Sequence, residues 1–446
     1  MKIKKIYNKL GANNKIIVKN VLGAFFVKGF ALFVSLYTLP SYISFFNNNE
    51  ILGLWFVLLS FLNWILNFDL GIGNGLRNHL TVSLTLGRQE ETRRLISSSY
   101  FSIGVIVVVL STLFPFFIKN VDLNRILNIS THEISSAALY KSIVIVFVGV
   151  MLQFWLRLVS SILYALQMSS LNNVIALCTN LLILLYVKFA PSYDNNTNLV
   201  TMSIVHLIAV ILPLVLISIY VFGFPLRNCR PSIKFVSKDR ITKVLSLGGI
   251  FFFIQLAYMV IMSTNEYLIT VTSTNSNNIT YQAYHKIFSL LGTVFALMLT
   301  PIWSVVTKAK AEKNILWIKA TYKRFLALGV LFFFLELLLV LLIKPIMRIW
   351  LGYIPTEPVY VPILFALLGS LMVFVSILSS IANGIGKLKC QAICYGVGSA
   401  LKIPLSFLFV GVLNSWVGVV IANLLCMLIY CLIEPIMLNK YFNNNI

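Results

Sequence analysis

Long apolar runs alternate with short polar connections along the whole chain. A helix needs about 20 mostly apolar residues to cross a bilayer. Twelve runs meet that length: 21–46, 51–76, 98–118, 141–166, 171–190, 199–223, 244–272, 279–307, 325–347, 359–383, 390–412 and 415–438. Their continuity argues against a barrel, whose strands are short and alternate. A cleaved leader is not expected, because the basic start and the first apolar run are both too long and no A-x-A site follows. The pattern predicts an all-α integral membrane protein of about 12 transmembrane helices.

The same pattern is doubled. The long polar segment after run 2, near 81–97, returns after run 8, near 308–324, and runs 3 and 9 begin at 98 and 325. The short connection near 167 has its counterpart near 384. Two six-helix halves are therefore expected, 1–223 and 244–446, joined by the basic segment 224–243, "FPLRNCRPSIKFVSKDRITK". Parallel repeats of this kind are a common transporter plan, with the substrate site formed near the repeats' meeting point.

Composition fixes the solvent. Of 446 residues, 59% are hydrophobic and only 11% charged, too few charges to cover a water-soluble protein of this length. A net charge of +22 would point to nucleic acid in a soluble chain. Here the bases fall between apolar runs, so no nucleic-acid partner is expected. Assigning both termini and the even-numbered gaps to the cytoplasm places 25 Lys and Arg inside and six outside. Such a bias sets orientation and supports an even number of spans with both ends cytoplasmic.

Four bases fall within predicted spans: Lys28, Arg157, Lys286 and Lys402. Four acids do likewise: Asp69, Glu266, Glu336 and Glu434. A charge at mid-bilayer costs at least about 2.5–3.5 kcal/mol, so it usually faces a partner or a wet cavity. Lys28 lies near the end of helix 1 and could instead reach the headgroups. Arg157 is deeper, Lys286 lies in the outer third of its run, and Lys402 precedes Pro404 near mid-run, where a kink opens space. Glu266 could carry a coupling proton or bond a neighbouring helix. Glu336, in "FFFLELLLVLL", is either an ion-coupling acid or the partner of a buried base. Glu434 reads as interfacial.

The stretch "NFDLGIGNGLRNHL", 67–80, is not a nucleotide loop. Gly71, Gly73 and Gly75 alternate, Leu76 occupies the third glycine position of a dinucleotide fingerprint, and no Gly-Lys-Ser/Thr follows. At the end of a spanning helix, glycines permit close helix approach or a bend. Asp69 and Arg77, eight residues apart, would lie about 12 Å apart along one helix. Asp69, Gly73 and Arg77 are candidates for gating, against a plainer role for Arg77 as a headgroup anchor and for Asp69 as a helix–helix bond. No nucleophile–base–acid set is visible, and Cys390 and Cys394 on one helix face do not make a metal site. No enzyme activity, cofactor or metal is expected.

Twelve spans in two halves, a basic N-terminus, "FDLGIGNGLRN" at the end of helix 2 and a basic segment after it resemble the Wzx-type oligosaccharide flippases. These form part of the polysaccharide-transporter branch of the multidrug/oligosaccharidyl-lipid/polysaccharide exporter superfamily. The resemblance runs the length of the chain, with 69–78 its most specific piece. It implies a MATE-like, V-shaped arrangement of two lobes around a central cavity in a bacterial cytoplasmic (inner) membrane. It implies a polyprenyl-pyrophosphate-linked oligosaccharide, of O-antigen or capsule type, moved from the inner to the outer leaflet. A polysaccharide polymerase and chain-length machinery would be its neighbours. The four buried bases would then supply counter-charge for pyrophosphate, with Asn, Ser and aromatic positions such as Trp55, Trp64, Trp155 and Tyr258 meeting the sugars. Two alternatives stand beside it. A small-molecule exporter of the same superfamily would carry fewer buried bases. A membrane polymerase would carry a large external loop, whereas the largest outer gap here, 119–140, is 22 residues.

Overall fold

The computed structural model describes residues 40–67, 71–127, 129–273, 275–351 and 357–445, with scattered positions from 23 to 38. Among them the chain is helical with no strand. Ten helices are long and apolar enough to cross a membrane, and they coincide with predicted runs 3–12. The chain is a multi-pass membrane protein. Ten positions of run 1, Lys28 among them, lie outside the described residues.

Run 2 departs from expectation. It is two helices, α1 (Asn49–Asn67) and α2 (Ile72–Thr85), and the second continues well past the expected end at 76. The chain enters α2 through Gly71 at φ 64°. That left-handed conformation carries little penalty for glycine and a clear one for residues with a Cβ. Asp69 falls outside the described residues.

Two compact units make up the chain, Met1–Gly248 and Gly249–Ile446. In the first, α2 is followed by α3 (Gln89–Ile118), a short turn α4 (Leu123–Ile126), α5 (Ser136–Leu156), α6 (Leu158–Ala165), α7 (Ser170–Phe189) and α8 (Asn195–Gly223). Helices α5 and α6 are one predicted span interrupted at Arg157. The unit's core is a continuous cluster around Trp55, Leu76, Leu80, Ile96, Leu139 and Ile162, each fully buried.

Both ends of this unit are fastened by polar contacts. At one end Glu133 accepts hydrogen bonds from Asn48 (2.7 Å) and Asn195 (2.9 Å), joining three connections. Nearby Asp194 caps α8, and its bonds from the Thr197 hydroxyl and amide hold its carboxyl below the usual carboxylate range. At the other end the basic segment lies on α3. Arg93 sits 3.9 Å over the Phe235 ring, and the amides of Ser232 and Ser237 donate to Ser97 and Ser98 at 3.0 Å.

The helix α9 (Lys238–Ser263) begins in the first unit. There it crosses α2 at backbone contact. A Cβ on Gly75 would lie 2.6 Å from the Val244 carbonyl, and one on Gly248 would lie 3.1 Å from the Ile72 Cα. The alternating glycines of 71–75 thus serve a turn at Gly71 and a close crossing at Gly75.

The second unit holds α10 (Asn265–Thr272), α11 (Asn275–Ala311), α12 (Ile315–Leu351), α13 (Tyr360–Ile385), α14 (Lys389–Leu413) and α15 (Val417–Asn445). The run predicted as 244–272 breaks at Thr264 between α9 and α10. An aromatic cluster of Tyr281, Tyr284, Phe365 and Trp416 fills part of the interior, with ring centroids 5.4–6.5 Å apart.

Candidate functional site

A cavity of about 710 Å³ lies inside the first unit. Its walls come from the region near Tyr42, from α2, from α5 and α6, and from α7 and α8. On α5–α6 the lining positions are Gln153, Phe154, Arg157, Ser160, Ser161 and Tyr164, one face of a continuous helical spacing. On α7 they are Asn172, Asn173, Ile175, Ala176, Thr179, Asn180 and Ile183, again one face. His206 from α8 completes a wall, its ring edge-on to Trp55 at 5.6 Å and its Nδ1 buried without a hydrogen-bond partner.

Arg157 is exposed at the interruption between α5 and α6 and lines this space. A helix interruption inside a membrane protein is tolerated where it faces protein or a water-filled cavity. Gly73 and Asn74 of α2 also line it. Arg77 does not reach it directly. It is buried, at 4% exposure, with its guanidinium 4.3 Å from the centroid of Tyr164, whose side chain belongs to the lining. The predicted candidates Arg157, Gly73 and, through Tyr164, Arg77 therefore meet at one place.

The other candidates lie in the second unit. Lys402 is fully buried on α14, and its Nζ donates 3.0 Å to the Val419 carbonyl of α15. One of its three N–H donors is thus met by the backbone of the neighbouring helix. Lys286 is exposed on α11, next to His285, which stacks on Tyr281 at 5.4 Å. Glu266, in the first turn of α10, accepts from the Gln282 amide at 2.5 Å. Glu336 is fully buried on α12, and neither carboxyl oxygen has a hydrogen-bond partner among the described residues. Its carboxyl packs on Gly369, where a Cβ would come within 2.5 Å of Oε1. No described base pairs with Glu336, so the expected ion-pair role has no partner there. Glu434, read from sequence as interfacial, is buried within the unit at 1% exposure. Among the described residues no group of three or more His, Cys, Asp and Glu side chains could hold a metal ion.

Sequence reasoning missed the polar positions of α7. The signal was present, since Asn172, Asn173, Thr179 and Asn180 repeat at helical spacing inside an apolar run. The sequence reading assigns sugar contacts to Asn and Ser positions in general and names none of these four.

The course of the helices matches a known architecture. A MATE transporter crystallised in complex with MaD3S superposes with a TM-score of 0.75 at 15% identity, over 96% of this chain and 97% of that one. The chain has the MATE fold. A MOP superfamily transporter from Pyrococcus furiosus, whose binding pocket is described as reversed in polarity, superposes with a TM-score of 0.69 at 16% identity over 96% of each chain. In sequence, a Yersinia pseudotuberculosis protein described as "Putative O-antigen export protein" is 22% identical over 396 residues, 84% of this chain and 83% of that protein. No family model matches the chain. These similarities bear out the resemblance to the exporter superfamily, and the matching proteins are membrane transporters or export proteins.

Proposed function

We propose that this protein is a flippase that moves a polyprenyl-pyrophosphate-linked oligosaccharide, of O-antigen or capsule type, across a bacterial cytoplasmic membrane. The observation that carries the reading is the cavity of the first unit, which sets the cation Arg157 among hydroxyl and amide side chains within a MATE-fold chain. Pyrophosphate cannot cross hydrocarbon bare, because an unpaired anion there costs far more than any lipid contact returns. A guanidinium in a cavity wall can meet a phosphate through two parallel hydrogen bonds in a planar fork. The lining residues Gln153, Ser160, Asn173 and Asn180 offer the neutral donors and acceptors that sugar hydroxyls need.

The relative named for O-antigen export supports the same cargo. The two lobes 1–223 and 244–446 about the basic segment, and both termini in the cytoplasm, are part of this proposal. Gly73 lines the cavity beside the turn at Gly71 and is the candidate moving element. Glu266 and Glu336 are the candidate ion-coupling acids of the second unit.

The test is complementation of a bacterium lacking its own flippase. The protein should restore surface polysaccharide, and its absence should leave lipid-linked repeat units on the inner leaflet. Unchanged accumulation with inserted protein present, across several repeat-unit chemistries, would refute the flippase reading.

A further inference from the structure

The cavity is not uniformly cationic. One wall, on α5–α6, places Arg157 between the aromatic positions Phe154 and Tyr164. The α7 wall carries no ionisable group at all. It offers Asn172, Asn173, Thr179 and Asn180, with Ile175, Ala176 and Ile183 between them. The spacing keeps all of these on one side of the helix, so the side chains form a stripe about three turns long.

We infer that this stripe is a sugar-reading surface that sets which repeat unit is carried, while Arg157 reads the phosphate common to all of them. The inference rests on the flippase reading for the identity of the cargo. Each carboxamide presents two donors and an acceptor with two lone pairs, the complement of a ring bearing hydroxyl or acetamido groups. The apolar positions between them suit the C–H faces of a pyranose. Asn172, one of the lining residues, donates its Nδ2 to the Ser160 carbonyl of α6 at 3.4 Å, which ties the α7 stripe to the wall that carries Arg157.

The volume also selects. At about 710 Å³ the cavity falls in the range of about 300–1,000 Å³ typical of sites that enclose a compact ligand. That volume suits the one or two sugars nearest the phosphate. The class of ligand is therefore an uncharged hexose or acetamido-hexose next to the pyrophosphate.

The reason to expect discrimination is general. Sites built to hydrogen-bond a substrate reject an analogue lacking those groups far more strongly than apolar pockets reject a changed methylene. The test uses a flippase-deleted strain that makes either of two repeat units. Both share the polyprenyl pyrophosphate, and they differ in the sugars next to it. Surface polysaccharide is divided by membrane-inserted protein.

The paired substitution Asn173→Leu with Asn180→Leu should change the export ratio of the two repeats by about tenfold or more. Arg157→Gln should lower both repeats alike and leave their ratio within about twofold. If the leucine variant fails to insert, Asn173→Ser with Asn180→Ser tests the same stripe with a shorter polar group. Stripe variants that lower both repeats equally, or leave both unchanged, overturn the inference.

A parallel arm separates this inference from the flippase reading. Purified protein is titrated with N,N′-diacetylchitobiose and with inorganic pyrophosphate, and thermal unfolding is followed. The disaccharide should stabilise the wild type and Arg157→Gln but not the stripe variant. Export of neither repeat by the wild type, together with that disaccharide response, would sink the flippase reading and leave the sugar-reading stripe standing. No response of the wild type to the disaccharide overturns the stripe.

Discussion

Arg157 and Lys402 have nearly the same setting in sequence, a single base inside a long apolar run. Their settings in space differ. Arg157 stands at a break between two helices, exposed to a polar cavity. Lys402 is inside an unbroken helix, fully buried, with its amine on the carbonyl of Val419. The first unit keeps space around its base, and the second closes on its own. The lesson is that an intramembrane charge marks a requirement for a partner, and the partner can be a ligand or the protein's own backbone.

That difference can be broken by experiment. The largest effect is expected for Lys402→Ala. It removes a buried side chain of large volume, at a cost of about 2–5 kcal/mol by analogy with other truncations to alanine. Membrane-inserted protein should fall sharply, while export per inserted molecule stays close to normal. Lys402→Met keeps the volume without the charge and should restore most of the protein, since apolar replacements of buried charges are often neutral or better. Immunoblots of washed membranes give the first quantity, and a strong export defect in the methionine variant would move Lys402 back to the substrate site.

Gly75 and Gly73 sharpen the same contrast between packed and open positions. A side chain at Gly75 meets the Val244 carbonyl at 2.6 Å. Gly75→Leu should therefore deplete the inserted protein. Gly73→Leu, at the cavity lining, should leave insertion intact and reduce export. Equal insertion of both variants would show that the crossing of α2 and α9 is not tight.

A defect of about 10–100-fold in export is expected for Arg157→Ala at normal protein level, equivalent to about 1.4–2.8 kcal/mol of lost substrate stabilisation. Arg157→Lys should retain part of the activity, because charge survives while the planar fork is lost. Full export by the alanine variant would remove the cationic wall from the mechanism.

The smallest perturbation is a solvent probe. In a variant lacking the six native cysteines, Arg157→Cys should react with a charged thiol reagent, and Lys402→Cys should not. Matching reaction rates at the two positions would dissolve the comparison.

A related contrast exists within the second unit. Glu266 has an amide partner in Gln282, whereas Glu336 has none among the described residues and is pressed against Gly369. The run "FFFLELLLVLL" announces a buried acid but says nothing of what faces it. The answer came from α13, nearly a full helix away in sequence, where glycine leaves room for a carboxyl that any Cβ would displace.

Sequence alone determined the class, the positions of runs 3–12 and the bases needing explanation. Each of these follows from local rules: a bilayer of fixed thickness demands a fixed apolar length, and charges inside it are costly. It also marked the glycines of 71–75 as special. The tertiary structure alone decided that run 2 turns at Gly71, that Gly75 meets α9, and that Arg157 faces open space while Lys402 does not. It also gathered the neutral amides of α7 opposite nothing that sequence proximity could supply. Periodicity says which residues share a face of a helix. What that face meets depends on neighbours brought together by packing from distant parts of the chain, and a one-dimensional pattern carries no record of them.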